Sequence, residues 1–473
     1  MESASTKSNI CILANRHRTW FYDALVKKMG LDHRNVFWIV TGQPWLQALR
    51  EAGYSDANIL YYEVASTEKD AGLDWLAQLE LSMSMPIWRL IHTDRFLSQR
   101  TTHPDRFLNR VGLEIECFLN RHAISHCFGE ATWSVELLTY FISKRAAIQY
   151  LIPHTIRIPS ERFAFFTDPF QSDYLRPGIH DDDWNSTCRS MVARMVDEGN
   201  IPRPHYWYIN NEVPAVRLRY VGKFVRFLSE ELFHEARTEY MDYSISERVR
   251  MKLRMIRNKR QLDELPHKSI IAKPTGSQYA LFALHKQPEA SVDVMGGIYT
   301  NQLALIEVLS KSLPMQYTLL VKEHSNAIGD RGSEFYRTIL SLGNVTLVAP
   351  SANSHELLKH VDVVFSVSGT IGMEASLLGV KALMFCPTFF TNMPNVYFLE
   401  DLSSLHAALD SPLVEHKALL LEFYEELVTN SYNGLIGDPI CLPAAMTEEN
   451  LSLVAVAFKD ILAASMRKRV ASV

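Results

Sequence analysis

The chain has 473 residues, 47% hydrophobic and 21% charged, with 48 Lys and Arg against 53 Asp and Glu for a net charge of −5. That is the make-up of a folded protein of two or three domains, because single cores seldom grow beyond about 250–300 residues. The slightly acidic balance argues against a general nucleic-acid binder, which needs clustered Lys and Arg.

In chain order, an apolar strand is predicted at Ile10–Ala14, a helix at about Trp20–Met29 and a second strand at Val36–Thr41. A helix near Pro44–Ala52 and a strand near Ile59–Tyr62 complete a βαβαβ start. Residues 73–123 read as mainly helical, including Phe107–Asn120 with its apolar Leu108, Val111, Ile115, Phe118 and Leu119. His126-Cys-Phe-Gly-Glu130 reads as a short strand ending in a polar turn. A helix through Lys144 and a strand at Ala147–Ile152 follow. Residues 155–212 break the rhythm, with Pro159, Pro169, Pro177, Pro202 and Pro204, and read as loops over a cleft plus a helix from Asp183 to about Glu198. Residues 213–262 form a long basic helical region, with Lys and Arg recurring from Arg217 to Arg260. A second α/β rhythm opens with a strand at Tyr279–Leu284. It continues through strands at Tyr317–Lys322, Val345–Val348, Val361–Phe365 and Ala382–Phe385. Leu413–Val428 and Glu448–Met466 read as amphipathic helices.

These elements divide the chain into an N-terminal Rossmann-like domain with a helical linker over 1–265, a second Rossmann-like domain over 266–425, and C-terminal helices over 426–473 packing back on the first. Cys11, Cys117, Cys127, Cys188, Cys386 and Cys441 form no CxxC pair, so neither a metal spacing nor a disulfide framework follows, and several are expected as buried thiols. The opening MESASTKSN has no apolar signal core, and no apolar run approaches the ~20 residues of a membrane helix. A cytoplasmic location is expected. The terminal Met466-Arg-Lys-Arg469 reads as a solvated tail or a contact with an anionic membrane face.

Polar constellations sit where the chain leaves strands, which is where open α/β sheets bind ligands. Ser366-Val-Ser368-Gly369-Thr370 with Glu374 is a small-residue turn feeding a helix. Its N–H groups and hydroxyls suit a phosphate and its carboxylate suits ribose hydroxyls; an ordinary capped helix start is the plainer reading. Lys322-Glu323-His324 offers a cation and an imidazole that can donate to a phosphate or leaving nucleotide. His285, Gln287 and Glu289 follow another strand end, ahead of Gly296-Gly297. In the first half, Glu130 is a candidate base for an acceptor hydroxyl, or a carboxylate stabilised by the helix that follows. Arg157 and Arg162 suit a carboxylate or phosphate, or surface ion pairs. Asp181-Asp-Asp183 reads as a helix cap rather than a metal site.

At these residues the chain resembles the capsule polysaccharide biosynthesis family, which includes the β-Kdo transferases. The resemblance rests on Leu284-His285-Lys-Gln287-Pro288-Glu289, Gly296-Gly297, Val321-Lys322-Glu323-His324 and Ser368-Gly369-Thr370-Ile-Gly372-Met-Glu374. Phe128-Gly129-Glu130 and Arg157-Ile-Pro159-Ser-Glu-Arg162 add to it in the first half. It implies an α/β, GT-B fold, two Rossmann-like domains facing a cleft. It also implies metal-independent, inverting transfer of an acidic sugar such as Kdo from a CMP donor to a saccharide or lipid-linked acceptor in bacterial capsule or O-antigen synthesis. In that scheme no cofactor is needed and the inner face of the membrane is a natural place of work. His324 contacts the nucleotide phosphate, Ser368 and Thr370 hold phosphate, Glu374 holds ribose, and Glu130 is the base. Ser325 stands where the family's motif has proline. A UDP- or GDP-sugar transferase, a nucleotide-sugar epimerase and a non-catalytic assembly subunit are the alternatives.

Overall fold

The computed structural model describes residues 8–64, 72–177, 182–198, 243–268 and 275–471. The first residues, Asp181, Pro202, Pro204 and the basic stretch over 217–242 lie outside them, as do the side chains of Cys188 and of Met466–Arg469.

The first half is built on a sheet containing β1 (Asn9–Leu13), β2 (Val36–Thr41), β3 (Ile59–Tyr62), β4 (Ile124–Phe128), β5 (Gln149–Thr155) and β6 (Arg162–Phe166). The second is built on β7 (Gln278–Ala283), β8 (Tyr317–Lys322), β9 (Val345–Val348), β10 (Val363–Ser366), β11 (Lys381–Met384) and β12 (Val396–Phe398). The chain then returns to the first sheet as β13 (Tyr432–Asn433). The strand orders are β13-β6-β5-β4-β1-β2-β3 and β12-β11-β10-β7-β8-β9. The second sheet is parallel throughout, and so are the pairs from β5 to β3 in the first. The molecule is thus an α/β protein with two parallel sheets, in line with the fold class read from the sequence.

Alternation along the strands explains how both faces of the first sheet are covered. Cys11, Leu13, Phe37 and Ile39 enter one core, while Ile10, Ile12, Val36, Trp38 and Val40 enter the other. The second core is closed by the last helix, Glu448–Ala471. Its Phe458 ring stands 4.8 Å from that of Phe128 and 4.9 Å from that of Phe165. No helix among the described residues is long and apolar enough to cross a membrane.

Four elements differ from the sequence reading. Residues 162–166 are a buried antiparallel strand, not a cleft loop, because Phe163, Phe165 and Phe166 fill the cores on both sides of β6. Leu413 and Val414 are exposed, and the helix begins only at Lys417. Pro412 precedes them, and the Val414 N–H goes to Asn395 Oδ1 at 2.9 Å instead of a helical carbonyl. The short strands β12 and β13 carry too few residues to show a period. Cys11, Cys127 and Cys386 are buried free thiols, whereas Cys117 and Cys441 are exposed ones.

Candidate functional site

In the second half the turn after β10 is built around His285, at the end of β7. The Val367 N–H donates to His285 Nε2 at 3.1 Å, so that nitrogen carries a lone pair and the ring is neutral. Burial, then the nearby His324 and Arg331, push the His285 pKa down to about 3, in agreement. Ser366 Oγ lies 3.0 Å from the same nitrogen and accepts the Gly369 N–H at 3.0 Å. A Cβ on Gly369 would meet Ser366 Oγ at 2.8 Å and His285 Cε1 at 2.9 Å, so only glycine lets this packing close. Ser368 Oγ donates to the Ser291 carbonyl.

These bonds correct one part of the sequence reading. The N–H groups of Val367 and Gly369, and the hydroxyls of Ser366 and Ser368, shape the turn itself, so they are not open donors for a phosphate. Among the described residues, the N–H groups of Ser368 and Thr370 take no acceptor. Glu374 is likewise engaged, with Oε2 2.9 Å from His355 Nε2 and Oε1 3.5 Å from Thr370 Oγ1.

The end of β8 is organised by Glu323, only 1% exposed. It accepts from Arg331 Nη1 at 2.6 Å, from the His324 N–H at 2.7 Å and from the Tyr336 hydroxyl. Arg331 Nη2 also donates to the His285 carbonyl, which ties the β7 and β8 ends together. His324 Nδ1 accepts the Asn326 N–H at 3.2 Å, so the ring proton sits on Nε2. Burial, then Lys322, Lys286 and Arg331, lower the His324 pKa to about 4. Lys322 Nζ reaches back to the Glu323 carbonyl at 3.2 Å, and burial lowers its own pKa. The result is a neutral imidazole donor ringed by cations.

Gln287 faces a cleft of about 540 Å³ whose walls also include Thr300, Asp330, Arg331 and Phe335. Its amide is held by Asp293 Oδ1 at 2.9 Å and by Gln302 at 3.0 Å. Glu289 is exposed, with Arg157, Lys286 and Arg95 around it. Arg157 and Arg95 come from the first half. Arg95 Nη1 also donates to the Pro288 carbonyl at 3.1 Å, and Arg89 Nη2 to that of Val294 at 3.3 Å. The loop after β7 therefore meets the first half directly.

In the first half, Glu130 follows β4 and pairs with Arg18 Nη2 at 2.6 Å. The residue that organises this strand end is its neighbour Glu136, in the first turn of the helix Ser134–Arg145. Glu136 Oε2 accepts from the Thr132 N–H at 2.6 Å, Thr132 Oγ1 at 2.8 Å and the Trp133 N–H at 3.1 Å, and Oε1 from Asn15 Nδ2. Burial and then Glu130 raise its pKa from 4.5 to about 7, against the pull of the Thr132 and Trp133 donors.

A carboxyl held more tightly to its proton in the folded chain makes folding favour low pH. The Glu136 contribution is intact below about pH 4.5 and is lost as pH rises through about 7, by up to about 3 kcal/mol. Glu136→Gln should flatten the stability–pH profile between those limits, as read by urea unfolding at pH 5 and pH 8; an unchanged slope would remove the assignment.

Arg162 is corrected outright. It is 3% exposed, and it donates to Ser431 Oγ at 2.8 Å, Asn433 Oδ1 at 2.8 Å, the Val428 carbonyl at 3.0 Å and the Ser431 carbonyl at 2.7 Å. It anchors the returning chain and does not face a ligand. Arg331, Glu136 and Arg18 were missed by the sequence reading, because each stands several residues or a whole strand away from the motif it serves. An arginine in the Asp330-Arg331-Gly332 turn soon after a buried acid was the only available signal.

No family model matches the sequence, and no curated protein matches it. Solved structures similar to it include two of KpsC from Thermosulfurimonas dismutans. One is the β-Kdo 2,7 transferase, at 10% identity over 68% of this chain and 83% of that one, TM-score 0.32. The other is the β-Kdo 2,4 transferase, at 11% identity over 66% and 82%, TM-score 0.31. A UDP-GlcNAc 2-epimerase from Methanocaldococcus jannaschii is similar at 11% identity over 89% and 98%, TM-score 0.26. At such scores the likeness carries no weight for function.

Proposed function

We propose that this chain is a glycosyltransferase that holds a nucleotide-activated sugar at the strand ends of the second half and passes it to a saccharide acceptor on the first. The observation that carries the proposal is the His324 ring, which is neutral, has its proton on Nε2, and stands among Lys322, Lys286 and Arg331. Such a donor, together with the cations around it, stabilises negative charge growing on a leaving phosphate. Ser368 and Thr370 offer backbone N–H groups along the same sheet edge. Glu130 is the base that takes the acceptor proton, as inversion requires, with Arg18 orienting it.

The resemblance narrows the donor to a CMP-linked acidic sugar such as Kdo, and the process to bacterial surface polysaccharide synthesis at the inner face of the membrane, without a metal. CMP is therefore expected to raise the melting temperature more than UDP or GDP does. Stabilisation by UDP alone would move the donor to a UDP-sugar, and no response to any of the three would remove the nucleotide site. His324→Ala should abolish the CMP response. Glu130→Gln should keep it and slow sugar transfer by about tenfold or more, and full transfer activity in that variant would take the base role from Glu130.

A further inference from the structure

Three aromatic rings stand at the ligand-binding edge of the first sheet, and no role given above uses them. His17, Trp20 and Trp45 have ring centroids 5.2 Å (His17–Trp20), 5.1 Å (His17–Trp45) and 5.4 Å (Trp20–Trp45) apart. They belong to the segments that leave β1 and β2 at their C-terminal ends and open the helices Arg18–Met29 and Gln43–Glu51. Trp20 is 45% exposed although the adjacent Phe21 and Tyr22 are buried, and Trp45 beneath it is 7% exposed. The trio is thus a floor and a wall with one large ring turned to solvent.

Polar groups border the rings. His17 Nδ1 lies 3.6 Å from Asp438 Oδ2, and Arg18, next in the chain, pairs with Glu130. A pyranose has an apolar C–H face and a rim of hydroxyls. An exposed indole flanked by carboxylates and a guanidinium matches both at once. What sets Trp20 apart from other exposed apolar side chains is its place in a three-ring cluster at the ligand edge of a sheet, where a stacking face is available to a bound ring.

We infer that His17, Trp20 and Trp45 form a stacking subsite for a pyranose ring of the acceptor, next to Glu130. The inference deepens the glycosyl-transfer reading and rests on it. The bound ring lies with its C–H face on Trp20 and its hydroxyl rim toward Asp438 and the Arg18–Glu130 pair.

The test is saturation-transfer NMR with the methyl β-pyranosides of glucose, galactose and N-acetylglucosamine, run alongside the CMP thermal shift. Saturation of ring C–H protons is expected for at least one probe. Trp20→Ala should weaken that binding about fivefold and Trp20→Phe should restore part of it, with the CMP shift unchanged in both. The subsite is overturned if no probe receives saturation in protein that still responds to CMP. It is overturned equally if Trp20→Ala binds the probes as well as the parent, or if that variant alters only self-association in sedimentation. Saccharide binding lost with Trp20 in protein that answers no nucleotide would keep the subsite and remove the glycosyl-transfer reading.

Discussion

Arg162→Ala should unfold at a urea midpoint corresponding to a loss of about 3–5 kcal/mol, with the slope of the transition unchanged. The guanidinium is buried and satisfies four acceptors on one stretch of chain: the Val428 and Ser431 carbonyls, Ser431 Oγ and Asn433 Oδ1. Removing it takes a donor from each of these groups, although the Val428 carbonyl keeps the Ser431 N–H and hydroxyl, and each acceptor left stranded costs roughly 1–3 kcal/mol, less than additively. It also frees β13 from β6, and with it the segment that leads into the last helix. Arg162→Lys should recover less than half of the loss, because one ammonium cannot span the fork that these four acceptors occupy. A loss under about 1 kcal/mol for Arg162→Ala would show that the returning chain is held by its apolar contacts alone.

Glu323→Ala should cost a similar amount, about 3–5 kcal/mol, and should also abolish the CMP response. Two effects combine. Arg331 keeps the His285 carbonyl and the Phe335 ring but becomes a partly buried cation without its carboxylate, while Tyr336 loses the acceptor for its hydroxyl. The His324 N–H loses its carboxylate, so the imidazole is no longer held at its angle over the strand end. Glu323→Gln keeps an acceptor but not the charge, and should cost about 1–2 kcal/mol with a weakened CMP response. Urea unfolding and the thermal shift read the two effects separately. A stable Glu323→Ala protein with an undiminished response would show that Glu323 supports neither the fold nor the site.

These two residues also mark where sequence reading succeeds and where it stops. Glu323 lies inside a motif that stands out, because Lys322-Glu323-His324 directly follows an apolar strand. Its meaning was read from the wrong neighbour, since the acid, not the histidine, ties the network together through Arg331. Arg162 looked like a ligand-binding arginine because a charged residue among prolines and aromatics resembles a loop. Only the pairing of β6 with both β5 and β13 shows it to be internal. In the turn after β10, the string of small residues correctly located a tight approach, but some of its donors are consumed by His285, 81 residues before Ser366, by Ser291 and within the turn itself.

What the sequence by itself determined is local: most strands and helices, the two-part α/β rhythm and the strand ends at which polar residues gather. Those follow from hydrophobic period and from small residues at turns, which neighbours in the chain can express. What only the tertiary structure decided is which polar group remains available to a ligand. A hydrogen bond uses up a donor regardless of separation along the chain. His324 keeps its Nε2 donor, Arg162 has none to offer, and Glu136 becomes the buried acid beside Glu130, through partners that no spacing rule connects.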